Sequence, residues 1–198
     1  MRGSRVFNRS RLLLPAIAIA ACSFAIAEAS RVRPMNLEEM AVRAGRIFRG
    51  TCTAVETARD PDSALDVARV TFRVERLVKG EAAESLTIRM LADPDGAGAA
   101  SAGSRAAPFR PGERVVLFLY GESRSGLTSP VGLGQGKFTI VEDKDGREVA
   151  LNGFDGEVLF RGLSPAASAK LGGWAARRRG REGISPDALL DMAEALAR

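Results

Sequence analysis

The stretch Val115-Val116-Leu117-Phe118-Leu119-Tyr120 restricts the fold of this 198-residue chain more than any other. Six large side chains follow one another without alternation, between Pro111-Gly112 on one side and Gly121 on the other. The run is short for a helix and rich in β-branched and aromatic residues, so it reads as a strand covered on both faces. Each fully buried large side chain contributes about 1.5–3 kcal/mol, which places this strand at the expected centre of the core. The rest of the chain has to wrap around it.

The neighbouring segments supply strands for that purpose. Arg46 to Glu56 puts Phe48, Cys52 and Ala54 on one face. Ala68, Val70, Phe72 and Val74 alternate with Arg69, Thr71, Arg73 and Glu75, after which Arg76 is polar and Leu77-Val78 apolar. A parity change inside one strand predicts a β-bulge, and long bent strands let a small sheet curl into a barrel. Leu86, Ile88 and Met90 alternate cleanly. Phe138 and Ile140 open another strand, and Asp143-Lys144-Asp145-Gly146 turns it back into Val149-Ala150-Leu151 as a hairpin. Residues 92–108 hold no large apolar side chain and read as a loop.

Helices are expected at both ends of this β region. Asn36 and Glu39 form a capping-box pattern ahead of Leu37, Met40, Ala41 and Ala44, with Gly45 as the stop. Ser185-Pro186 opens a last helix whose Leu189, Met192, Ala193 and Leu196 make one apolar stripe. The expected fold class is therefore mainly β: a small OB-like curled barrel of five to six strands with a short N-terminal and a C-terminal helix. The expected divisions are 28–45 for the lead-in and first helix, 46–152 for the β domain, 153–184 for a loop region holding Trp174, and 185–198 for the last helix.

Residues 1–27 read as an export signal. Arg2, Arg5, Arg9 and Arg11 precede a short apolar run from Leu12 to Ala27, which is below the roughly 20 residues that span a bilayer as a helix. Ala25-x-Ala27 and Ala27-x-Ala29 both suit an ordinary signal peptidase. Ile19-Ala20-Ala21-Cys22 also resembles a lipobox, which would make Cys22 a lipid-carrying terminus. The expected location is the periplasm or the medium, or the membrane surface if Cys22 is lipidated. Cleavage after Ala27 removes those four arginines, so 29 basic side chains become 25 against 24 acidic ones. Most of the basic excess that would suggest nucleic acid leaves with the signal. Arg177-Arg178-Arg179 and Arg181 then read as a solvated loop.

Chemistry-bearing residues are few. The chain has no histidine and two cysteines, which excludes Ser-His-Asp and Cys-His nucleophiles, His-ligated metals and four-thiolate sites. Cys52 points to the core as a small apolar residue. Asp93-Pro94-Asp95-Gly96 and Asp143-Lys144-Asp145-Gly146 lack the carboxylates of a calcium loop at the remaining positions and read as turns. Gly132-x-Gly134-x-Gly136 precedes a strand rather than a helix, so it reads as an exposed loop and not a phosphate cradle. Leu133, Gly134 and Gln135 are the candidate contact residues there, because binding residues concentrate on loops held by a rigid scaffold. No catalytic, metal or cofactor-binding residue is singled out, and no cofactor is expected.

Three segments carry a resemblance: Ala44-Gly45-Arg46-Ile47-Phe48-Arg49-Gly50, then Val70-Thr71-Phe72-Arg73-Val74-Glu75-Arg76-Leu77-Val78-Lys79-Gly80, then Phe109-Arg110-Pro111-Gly112-Glu113-Arg114-Val115-Val116-Leu117-Phe118. In this order they resemble exported bacterial proteins with a TIMP-like OB-fold, similar to the inhibitory domain of tissue inhibitors of metalloproteinases. The resemblance covers Arg46 to Tyr120 and extends toward Leu151. It implies a five-stranded barrel that binds another protein or an extended ligand. In the animal inhibitors a mature N-terminal cysteine chelates the protease zinc within a disulfide-rich frame, whereas cleavage after Ala27 leaves Glu28 first in this chain. The expectation is a non-enzymatic binding module with another envelope or extracellular protein as partner, of peptidase-inhibitor type or, alternatively, a structural lipoprotein.

Overall fold

The structure is a computed structural model that describes residues 33–61, 64–92, 109–153, 158–174 and 183–197. The signal, Cys22, the 93–108 segment and the arginines at 177–181 lie outside the described residues. The chain is mainly β. Helix α1 (Leu37–Arg43) leads into β1 (Arg46–Arg59), β2 (Asp66–Lys79), β3 (Ser85–Leu91), β4 (Arg114–Leu119), β5 (Lys137–Glu142) and β6 (Glu148–Leu151). Helices α2 (Pro165–Leu171) and α3 (Pro186–Ala197) follow. The strands form one antiparallel sheet in the order β3-β2-β1-β4-β5-β6.

The sheet is not closed into a barrel ladder, which refines the expected curled barrel. Residues 127–130 instead make single bridges in two directions, Leu127 to Arg89 of β3 and Pro130 to Leu119 of β4. The Arg89 side chain reinforces the first bridge, donating to the Ser125 carbonyl at 3.1 Å and to Asp60 at 3.2 Å. Pro130 lacks a main-chain donor, and that limits how far a ladder can run here.

β4 is covered on both faces, as its sequence demands. Val115, Leu117 and Leu119 join Phe48, Cys52, Val70, Phe72, Ile88, Met90 and Phe109 in one core. Val116 and Phe118 join Ile47, Phe138 and Ile140 in a second core beneath all three helices. Phe72 sits between Phe48 and Phe109 in two edge-to-face contacts, with ring centroids 5.5 and 5.2 Å apart.

Bulges decide which side chains reach which core. The β1–β2 register shifts between Ile47 and Phe48 and between Arg49 and Gly50, each time leaving an extra residue on β2. This turns Leu77 toward the first core and Val78 toward the second, as the parity change predicts. A third shift lies between Cys52 and Ala54. It breaks the expected shared face, so Val55 and not Ala54 packs against the first core.

The helix caps follow their sequence signals. Asn36 and Glu39 form a full capping box on α1. Gly45 does not end the helix through a left-handed turn. A Cβ there would lie 2.7 Å from the Gly121 backbone, so close approach requires the glycine. The region expected as a loop contains α2, capped by Ser164 with Pro165 at its first turn. Glu38 of α1 accepts from the Ser164 amide (2.8 Å) and hydroxyl (2.7 Å), tying the two helices together.

Candidate functional site

The turn between residues 131 and 136 connects the bridge at Pro130 to β5 and is the most deliberately built surface feature among the described residues. Its three glycines serve different needs. Gly132 and Gly134 have φ of +68° and +100°, values that glycine adopts without strain. Gly136 is required by contact, since a Cβ would stand 2.6 Å from the Phe118 carbonyl oxygen. Between them Leu133 also occupies the left-handed region, at φ +58°. That conformation costs a residue with a Cβ about 1–2 kcal/mol. Its side chain is 60% exposed.

The turn is braced from both sides. Gln135 is 2% exposed, and its side-chain oxygen accepts from the Met35 amide at 2.8 Å. Its amide nitrogen donates to the carbonyls of Arg33 (3.1 Å) and Gly132 (3.0 Å). Asn152 donates to the Gln135 carbonyl at 3.0 Å, and the Tyr120 hydroxyl accepts from the Gly132 amide at 3.2 Å. Of the three residues chosen from sequence, Leu133 is presented to solvent, Gly134 faces open space and Gln135 is a buried latch. Tyr120, itself 36% exposed beside the turn, was not singled out from sequence because it ends an otherwise buried run.

A second polar constellation lies where β5 meets the start of β4. Glu113 and Lys137 pair at 2.8 Å with side chains only 15% and 12% exposed. Thr139 donates to the same carboxylate at 3.0 Å, and the Arg110 amide donates to its other oxygen at 3.1 Å. The Lys137 ammonium lies 4.4 Å from the centre of the Phe109 ring. Arg110, Glu113, Lys137 and Thr139 line a cleft of about 440 Å³. Cys52 is close by, and its amide donates to the Glu113 carbonyl at 2.8 Å. Burial first and the Glu113 charge second push the Cys52 thiol above its usual value, which keeps it protonated and unreactive. Sequence reading found the apolar nature of Cys52 but missed the Glu113–Lys137 pair, whose members are 24 positions apart and meet only through the β4–β5 pairing.

Among the described residues, no three His, Cys, Asp or Glu side chains converge as a metal site, and no helix is long and apolar enough to cross a membrane. No protein-family model matches the chain, and no curated protein is similar enough in sequence to count as a relative.

Proposed function

We propose that this chain is an exported, non-enzymatic protein-binding module of the cell envelope or medium, and that Leu133 is the centre of its contact surface. One observation carries the reading: an aliphatic side chain is held out in water, in a backbone conformation that costs energy, by a buried glutamine and a tyrosine hydroxyl. Strain of this kind persists only where the surroundings enforce it, and it concentrates at functional positions. A rigid apolar tip also binds with little ordering cost. The leader-like residues 1–27 and the resemblance to TIMP-like exported proteins support the location and the partner class, with inhibition of a secreted peptidase as the specific form.

Leu133→Gly separates binding from folding. Removing the Cβ relieves the left-handed strain, so the melting temperature should stay level or rise, while capture of the partner should weaken at least tenfold, about the effect of a central apolar anchor. A photo-crosslinking residue at position 133 should give a discrete adduct in envelope extract that the same residue at position 144 does not. Equal adduct patterns from both positions would remove Leu133 as the contact. Mass spectrometry of the mature N-terminus then distinguishes a start at Glu28 or Ser30 from an acylated Cys22.

A further inference from the structure

We propose that the cleft lined by Arg110, Glu113, Lys137 and Thr139 binds a carboxylate carried on an apolar residue, as at the C-terminal end of a peptide or in a small free acid.

The argument starts from a buried charge pair in an odd place. Glu113 and Lys137 have lost most of their water, yet they face a cleft and not a closed core. A desolvated ion pair stabilises a fold poorly compared with apolar packing, so its presence calls for another role. The hydrogen bonds show what that role is. Both oxygens of Glu113 are occupied, one by Thr139 and Lys137 and the other by the Arg110 amide. The carboxylate thus serves to hold the ammonium in place over the Phe109 ring.

The Arg110 guanidinium lines the same cleft and makes no ion pair among the described residues. Two cations against one anion leave a single positive charge, which one carboxylate neutralises. A phosphate dianion would overbalance it beside Glu113. A planar carboxylate also matches the paired N–H groups of the guanidinium. The Phe109 ring supplies an apolar neighbour for the side chain that bears the acid.

Isothermal titration of the mature protein with N-acetyl-leucine, N-acetyl-phenylalanine and their carboxamides tests this. The acids should bind in the millimolar range and the amides about tenfold more weakly, the loss expected for a charge-assisted contact. Arg110→Ala, at an exposed side chain, should fold normally and reproduce the same loss for the acids alone. Lys137→Met should do likewise, and if it does not fold, Arg110→Ala decides. A pentapeptide ending in leucine binding more tightly than N-acetyl-leucine would assign the site to peptide ends, and equal affinity to free acids. Equal binding of acid and amide, no effect of Arg110→Ala, or no saturation in the millimolar range overturns the proposal.

Discussion

Gln135 shows how one side chain can organise a surface it does not belong to. Its carboxamide is matched on both ends, accepting from Met35 and donating to Arg33 and Gly132. Alanine at this position leaves those main-chain groups without their partner in a site closed to water. Gln135→Ala should therefore lower unfolding free energy by about 2–3 kcal/mol, read by urea denaturation. Gln135→Glu should be nearly as damaging, because it keeps the acceptor for Met35 but sets a carboxylate oxygen against two carbonyls. A Gln135→Ala variant as stable as the parent would show that the latch contributes nothing. The exposure of Leu133 was legible from the glycine spacing around it. The inward turn of Gln135 was not, since its partners Arg33 and Met35 lie about a hundred positions away in the chain.

Elements were legible wherever the signal was local. The unbroken run in β4, the alternation in β3, the Asp-Gly hairpin turn and both caps of the outer helices all follow from residues within a few positions of one another. Helix α2 carried the same kind of signal, since Ser164-Pro165 repeats the Ser185-Pro186 pattern that opens α3. Glycine and alanine around it obscured the reading. What could not be read is where strands end as a sheet. Whether residues 127–130 pair along their length or only at two points depends on Arg89 and Pro130 meeting them from opposite sides. The loop that holds Leu133 depends on Gly136 approaching β4. Gly136→Ala should push the turn off Phe118 and destabilise the fold by about 2–4 kcal/mol, with Gly134→Ala, which has open space but a positive φ, costing less. Thermal melts of the two variants check the order, and the reverse order would contradict the close approach.

Across the whole molecule the polar counterpart to the two cores is a network of arginines and acids between the sheet and α3. Arg49, 16% exposed at its side chain, reaches Glu75 (2.9 Å), Glu148 (3.0 Å) and Asp187 (3.4 Å). Arg114 also bonds Glu148, and Arg76 reaches Asp191 and Glu194 of α3. The Arg114 hydrogen bond, helped by the Arg49 charge, holds the Glu148 carboxyl below its ordinary value of 4.5. The Ser164 amide and hydroxyl do the same for Glu38. A carboxyl depressed in the folded state stabilises the fold fully above its unfolded pKa and loses that contribution as pH falls toward its folded pKa. The melting temperature should thus decline as pH drops below about 4.5, and Glu148→Gln should flatten that decline while lowering stability at neutral pH. Differential scanning calorimetry across acidic pH checks the sign. An unchanged slope in Glu148→Gln would place the acid sensitivity elsewhere.

The bonds from Gln135 to Arg33 and Met35 have a practical corollary. They bring the polypeptide into the folded body alongside the Leu133 turn, so an affinity tag or fluorescent reporter fused ahead of residue 33 starts its tether next to that tip. A label placed there would screen the tip from large proteins while leaving melting curves untouched. Immobilisation for binding measurements should use a different point of attachment.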